Sequence, residues 1–196
     1  MELYVIRHGE SEANAGGYFA GWAQVSLTEK GRRDAAMAGR LLKGLHFDRV
    51  YSSDLLRAVQ TANIALPDVV PEQVPALREI NVGELEYRPH TECVATLGES
   101  FQEAFRHRCF TDFGGESHQM QVERVGGFLR MLAETAQENE TVAAFCHAGT
   151  LQTMLDCVLH ADTSDRSAIA HNGSVSHFRW SNGHWQLVCW NRTESI

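Results

Sequence analysis

Short apolar runs alternate along the chain with longer segments whose apolar residues recur every three or four positions. The apolar runs predict strands at 2–7, at "RVYSS", at "QVPALREI" and at "TVAAFCH". The longer segments predict helices over about 28–43, 54–66, 114–138 and 149–160. Strands that alternate with helices in this way are typical of an α/β protein. We therefore expect a three-layer α/β fold, with a mostly parallel sheet and helices on both of its faces.

Two further segments depart from this alternation. The runs "SVSHFRW" and "WQLVCW" flank the turn sequence "SNGH", which predicts a C-terminal β-hairpin. Residues 84–113 are rich in aromatic side chains and predict a short helical insertion. With 196 residues, the chain has the length of one domain with a sizeable core, so we expect a single domain over 1–196.

Composition restricts the partners and the compartment. The net charge of −8 disfavours nucleic acid as the main partner, but a local basic pocket can still bind a small anion. No apolar run approaches the ~20 residues of a membrane span, and no secretory signal is visible at the N-terminus. The five cysteines form no CxxC pair, which favours a reducing compartment. We expect a cytoplasmic protein that contacts no membrane, with homo-oligomerisation left open.

Polar side chains close each of the predicted strands. They are Arg7 and His8 at the end of the first, Ser52 and Ser53 at the end of the second, Glu79 at the end of the third and His147 at the end of the fourth, with Arg57 about one turn into the helix after the second strand. The carboxyl ends of parallel strands meet at one edge of a sheet, where ligands bind. Burying two adjacent cationic side chains is costly unless an anion compensates them, and helix N-termini favour anions. The pattern predicts a phosphate site.

Five segments carry a resemblance to a known family. "RHGESEAN", "GWAQVSLTEKGRRDA", "VYSSDLLRAVQTA", "LREINVGELE" and "FCHAGTL" occur in an order and at a spacing that resemble the histidine phosphatase superfamily, which includes the cofactor-dependent phosphoglycerate mutases. The resemblance extends from residue 3 to about 175.

The resemblance implies a role for each of these polar residues. It makes His8 the nucleophile that becomes phosphorylated, Glu79 the proton donor, and Arg7, Arg57 and His147 the groups that hold the phosphoryl oxygens. It also implies substrate contacts at Asn14, Ser11, Trp22 and Ala148. A neutral imidazole can attack phosphorus directly, and guanidinium groups stabilise charge on the transferred phosphoryl group. We therefore expect no metal and no cofactor.

Several of these residues have a purely structural alternative. Ser11 and Asn14 can cap a turn, and Ser53 can cap the helix that follows it. Trp22 can pack its own loop, and Glu84 is a second candidate for the acid. One departure from the family pattern bears on the substrate side of the site, since Tyr87 stands where glycine is common.

Two activities fit the resemblance. The first is a phosphatase that hydrolyses a small phosphorylated metabolite, and the alternative is a mutase that moves a phosphoryl group between two oxygens of one substrate. Ser11 and "FAGW" favour a mutase, whereas the short 84–113 segment favours a phosphatase. A catalytically silent phosphate-binding domain is disfavoured, because such a protein is expected to have lost one of the catalytic residues.

Overall fold

The computed structural model describes residues 1–161 and 168–193. Six strands form one sheet: β1 (Glu2–Arg7), β2 (Arg49–Ser52), β3 (Glu72–Gln73), β4 (Thr141–Cys146), β5 (Val175–Ser181) and β6 (His184–Arg192). Their order across the sheet is β3-β2-β4-β1-β5-β6. The first four of these are parallel neighbours, whereas β5 runs antiparallel to both β1 and β6. The predicted, mostly parallel sheet is confirmed.

The described residues also form six α-helices. They are α1 (Glu12–Gly16), α2 (Glu29–Leu41), α3 (Leu56–Ala65), α4 (His90–His107), α5 (His118–Thr135) and α6 (Ala148–Leu159). Short 3₁₀ turns occupy Pro75–Leu77, Gly83–Leu85 and Thr111–Phe113. Within the described residues, no helix is long and apolar enough to cross a membrane.

The side chains of β1 separate the two helical layers. Leu3 and Val5 pack into a core with residues of α5 and α6, such as Leu132 and Leu151. Ile6 packs into a second core, on the opposite face of the sheet, with residues of α2 and α3. This follows from strand geometry, because successive side chains point to opposite faces. The three predicted layers are confirmed.

A close backbone contact fixes the loop after β1 against α2. A Cβ atom added to Gly9 would lie 2.1 Å from the Gly31 carbonyl oxygen, and one added to Gly31 would lie 1.9 Å from the Glu10 carbonyl oxygen. Thr28 is the N-cap of α2, and its hydroxyl accepts a hydrogen bond from the Gly31 N–H at 3.0 Å. The residue that follows Arg7 and His8 is thereby held against the first turn of α2.

The third strand is much shorter than the sequence predicts. β3 spans two residues, and a 3₁₀ turn begins at Pro75. Proline has no N–H to donate to a sheet, and its fixed φ favours the start of a helical turn. Glu79 therefore follows an irregular segment, and the prediction that it ends a strand is wrong. The short helix α1 was not predicted.

The hairpin and the insertion both agree with the sequence. The β5–β6 turn has Asn182 at φ 54° and Gly183 at φ 78°, as a type I′ turn requires. In the insertion, Gly98 at φ 55° and ψ −130° interrupts α4 and divides it into two helical pieces. The insertion has its own small core, which includes Phe19, Phe101 and Phe110.

Candidate active site

One cavity of about 400 Å³ contains most of the predicted site residues. One part of its lining is polar and includes Arg7, His8, Arg57 and Glu79. Another part is largely apolar and aromatic. It comprises Tyr18, Phe19, Ile80, Val82, Phe105 and Phe110, with His90, Arg108 and Gln152 beside them. The cavity thus offers a small anion site next to a larger compartment for an organic group.

His8 is buried, with 4% of its surface exposed. Its Nδ1 lies 2.7 Å from the Gly9 carbonyl oxygen. A carbonyl can only accept a hydrogen bond, so Nδ1 carries the proton and Nε2 keeps its lone pair. Burial, reinforced by the charges of Arg57 and Arg7, holds the His8 pKa well below its ordinary value. The side chain is a neutral imidazole at neutral pH, which is the form that can attack phosphorus.

Arg57 and Arg7 bring positive charge to the same cavity. Arg57 is 1% exposed, and its Nη1 and Nη2 donate to the carbonyls of Ala23 and Gly21 at 3.0 and 2.9 Å. Burial lowers the pKa of Arg57 to about 10, so the group remains charged at neutral pH. Arg7 Nη1 donates to the Ala170 carbonyl. Backbone carbonyls orient both guanidiniums, but neither has a salt-bridge partner among the described residues.

His147 lies beside His8 at the start of α6. The two ring centroids are 5.1 Å apart. His147 Nε2 is 2.9 Å from the Ser53 hydroxyl, which also accepts from the Leu55 N–H at 3.3 Å. Burial and the neighbouring Arg57 lower the pKa of His147 well below its ordinary value. His147 is fully buried and is not among the described residues that line the cavity.

Glu79 is held at four points. One carboxylate oxygen accepts from the Ile80 N–H at 2.8 Å and the other from the Gly149 N–H at 3.0 Å. The Glu79 carbonyl accepts from Trp22 Nε1 at 2.8 Å and from Arg124 Nη2 at 3.0 Å. These contacts fix a carboxyl group in the wall of the cavity.

Some of the remaining predicted residues line the cavity, and others lie behind the residues that line it. Ser11 and Asn14 line the cavity and also form the capping box of α1, so the structural alternative holds for both. Ala148 lines it at the first position of α6. Trp22 supports the Glu79 backbone and is not among the described lining residues. The alternative acid, Glu84, is exposed and is also absent from that described lining.

Sequence reasoning missed Arg108 as a site residue. It follows α4, is 2% exposed and lines the cavity. Its Nη2 donates to the Gly149 carbonyl at 2.9 Å, to Gln121 Oε1 at 2.6 Å and to Thr153 Oγ1 at 2.9 Å. Three separate segments meet at this guanidinium, and no local pattern in the sequence indicates that meeting.

The fold and the site define an α/β enzyme of phosphoryl transfer. The chain belongs to the histidine phosphatase superfamily (branch 1), whose family model matches residues 3–193. The chain is a phosphomonoester hydrolase of the histidine phosphatase type.

Full-length relatives agree with this classification. The adenosylcobalamin/α-ribazole phosphatase of Salmonella typhimurium is 32% identical over 196 residues, covering 96% of this chain and 90% of the relative. The crystal structure of the α-ribazole phosphatase from Shigella flexneri superposes with a TM-score of 0.87 at 27% identity, covering 100% of this chain and 98% of the other. Phosphoglycerate mutase 1 of Saccharomyces cerevisiae is 38% identical, but that match covers 54% of this chain and 45% of the mutase.

Proposed function

We propose that this enzyme hydrolyses a small phosphorylated metabolite through a phosphohistidine at His8, without a metal ion. The observation that carries the proposal is the tautomer of His8. Its Nδ1–H is committed to the Gly9 carbonyl, which leaves the Nε2 lone pair available for phosphorus. Arg7 and Arg57 line the same cavity and would neutralise the charge of the transferred phosphoryl group.

The proposed reaction has two steps. In the first, His8 Nε2 forms a bond to phosphorus while the bond to the leaving oxygen breaks, and protonated Glu79 gives its proton to that oxygen. In the second, Glu79 as carboxylate takes a proton from water, whose oxygen attacks phosphorus as the bond to His8 breaks. The products are the alcohol, inorganic phosphate and the regenerated enzyme. Ser11, Asn14 and Ala148 are proposed substrate contacts, and His147 is proposed to orient the phosphoryl group beside His8.

The mutase alternative is less well supported. The full-length relatives reported above are phosphatases, whereas the mutase match covers less than half of the mutase. A 3-phosphoglycerate isomerisation assay, with and without the bisphosphate, compares the two activities directly. Because relatives are α-ribazole phosphatases, α-ribazole 5′-phosphate is the first substrate to test.

Two broader features of the protein are also proposals. We propose a cytoplasmic location, which fits the five free thiols. We also propose that the chain forms a single domain.

Rapid quench into alkaline detergent with a ³²P-labelled phosphomonoester tests the intermediate, because phosphohistidine is stable in alkali and labile in acid. Wild-type enzyme in excess chelator should turn over and trap an acid-labile phosphoprotein, whereas His8→Ala should show neither turnover nor labelling. The matched control is His184→Ala, which removes an exposed histidine of the hairpin and should behave as wild type. Labelling of His8→Ala at the wild-type level would place the nucleophile elsewhere, and loss of turnover in chelator that a divalent ion restores would contradict the metal-free mechanism.

A further inference from the structure

The segment that carries Glu79 lies outside the regular sheet. β3 ends at Gln73, and among the described residues no strand pairs with 76–81. The residues of this segment are partly or fully buried. Buried backbone groups without a hydrogen-bond partner are costly, so the segment needs partners other than a neighbouring strand. The position of Glu79 therefore depends on the groups that supply these hydrogen bonds.

Arg124 of α5 supplies three of the hydrogen bonds. Its Nη1 donates to the carbonyls of Ala76 and Arg78 at 2.9 and 2.8 Å, and its Nη2 donates to the Glu79 carbonyl at 3.0 Å. The other two N–H groups bind the Glu116 carboxylate, from Nε at 2.9 Å and from Nη2 at 3.0 Å. A guanidinium has five N–H donors, so every donor of Arg124 is used.

Glu116 fixes the Arg124 guanidinium and also contacts the segment itself. It lies just before Ser117, the N-cap of α5, and its carboxylate accepts from the Asn81 N–H at 2.9 Å. The Glu116 N–H donates to the Asn81 carbonyl at 2.9 Å. The two side chains are 17% and 9% exposed, so solvent screens the ion pair little. Together they bind the backbone of this segment from 76 to 81.

One of these contacts bears directly on the carboxyl group of Glu79. The Glu79 carbonyl and the Ile80 N–H belong to the same planar peptide unit. Arg124 binds the carbonyl of that unit, and the N–H of the same unit donates to the Glu79 carboxylate at 2.8 Å. A rotation of this peptide plane would therefore move the hydrogen bond that orients the carboxylate.

We propose that Arg124 and Glu116 are positioning residues for proton transfer by Glu79, because they hold the 79–80 peptide unit in place. The inference rests on the proposed function, in which Glu79 is the acid. Neither side chain is among the described residues that line the cavity, so both act through Glu79. A buried ion pair adds little net stability compared with apolar side chains of similar size, whereas its bidentate geometry fixes orientation.

The kinetics of Arg124→Gln with two kinds of leaving group test the inference. Displacing a catalytic group by about 1 Å costs on the order of 10²-fold in rate. We expect Arg124→Gln to slow phosphorylation of His8 by about that factor with ribose 5-phosphate, whose alkoxide needs a proton. With nitrophenyl phosphate, which needs little acid, phosphorylation should slow only weakly. Single-turnover measurements of phosphohistidine formation give both rates.

The matched control is Arg49→Gln. Arg49 forms a second bidentate ion pair, with Nε at 2.6 Å and Nη2 at 2.8 Å from the two carboxylate oxygens of Glu140. This pair lies at the amino end of β2, opposite to the end at which Ser53 meets His147. Arg49→Gln should therefore keep wild-type rates with both substrates.

A double-mutant cycle separates positioning from a general loss of structure. If Arg124 acts through the Glu79 carboxyl, adding Arg124→Gln to Glu79→Gln should slow phosphorylation by ribose 5-phosphate no more than about twofold further, since groups that act as a unit are not additive. Glu116→Gln keeps the volume of its side chain and should show the same dependence on leaving group with Arg124 still present. Additive losses, or equal slowing with both substrates, would overturn the inference.

Amide hydrogen exchange reports the same geometry without turnover. The N–H groups of Ile80 and Gly149 donate to the Glu79 carboxylate, so Arg124→Gln should reduce their protection and Arg49→Gln should not. Reduced protection, combined with no dependence on leaving group in Glu79→Gln, would support the positioning contact and refute the proposed acid. Dependence on leaving group in Glu79→Gln, combined with unchanged protection in Arg124→Gln, would leave the phosphatase mechanism intact and overturn the inference.

Discussion

Glu79 shows how a single residue is positioned by contacts distant in sequence. Its carboxylate accepts from the backbone of α6, and its carbonyl accepts from an indole and a guanidinium. A general acid works only where its proton can reach the leaving oxygen, so such placement matters as much as residue type. The contacts of Trp22 and Arg124 suit a positioning role for both.

Replacing this carboxyl group should affect substrates according to their leaving group. General acid help is typically worth ~10²–10⁴-fold, and a poor leaving group needs it most. We expect Glu79→Gln to slow phosphorylation of His8 by about that factor with alkyl phosphates and only weakly with nitrophenyl phosphate. Since the same carboxylate activates water in the second step, nitrophenyl phosphate should give a burst of nitrophenolate and accumulated phosphohistidine in rapid-mix kinetics.

Glu84→Gln is the matched control, because it makes the same change at the exposed carboxylate of the following turn. It should keep wild-type rates with both substrates. If Glu79→Gln instead slows both substrates equally and shows no burst, Glu79 shapes the pocket rather than donating a proton.

At the residue scale, the sequence predicts site residues that stand at the end of a recognisable strand. It misses site residues whose position depends on contacts between segments distant in the chain. The proximity of His8, Arg57 and His147 could be anticipated, because each stands at the end of a predicted strand or in the first turn of the next helix. Their catalytic roles stay predictions. Arg108 could not be anticipated, since its partners come from α5 and α6, far along the chain. The same limit applies to the hydrogen bond from Trp22 to the Glu79 backbone, because the two residues are 57 positions apart in the chain. The substrate contact expected of Trp22 stays a prediction.

Among the elements, α6 links the acid to the sheet through its first turn. The Gly149 N–H donates to Glu79, and a Cβ atom at Gly149 would lie 2.2 Å from Glu79 Oε1. Glycine is required here by this close approach, and the added methyl of Gly149→Ala must displace the carboxylate. A displacement of about 1 Å near the reacting atoms costs on the order of 10²-fold in rate. We expect that loss in kcat with alkyl phosphates, measured by steady-state kinetics.

The control for this substitution is Gly127→Ala inside α5. The nearest atom to its added Cβ is Arg130 Nη2, at 3.7 Å, so the methyl group has room. Alanine in a helix interior is more stable than glycine by roughly 0.5–1 kcal/mol. Gly127→Ala should therefore raise stability and leave kcat unchanged. If Gly149→Ala also leaves kcat unchanged, the displacement of the Glu79 carboxylate does not impair proton transfer.

Element prediction from the sequence succeeded where periodicity was long and failed where it was short. The helices over 28–43 and 114–138 correspond to α2 and α5 with ends shifted by a few residues. The third strand was overextended because "QVPALREI" keeps an apolar pattern, although Pro75 ends pairing. The five-residue helix α1 is too short to show periodicity, and its capping box was visible only as Ser11 and Asn14.

At the scale of the whole molecule, two buried neutral histidines link the active site to global stability. Burial holds the pKa of His8 and of His147 well below 6.5 in the folded state. In the unfolded chain both titrate near their ordinary value. As the pH falls below about 6.5, the unfolded state binds protons that the folded state does not, so the free energy of unfolding decreases. Above that pH both states are neutral, and this contribution disappears.

The size of the effect can be measured by urea unfolding at several pH values. Between pH 7.0 and 5.5, each histidine should reduce the free energy of unfolding by about 1 kcal/mol. His147→Gln should show a smaller loss over that interval, by about the contribution of one histidine, while the exposed His184→Gln should lose as much as wild type. If His147→Gln and wild type lose equal amounts, the folded protein protonates this imidazole as readily as the unfolded chain does. A neutral His147 would then be excluded, and the buried cluster around His8 would carry an additional positive charge near pH 6.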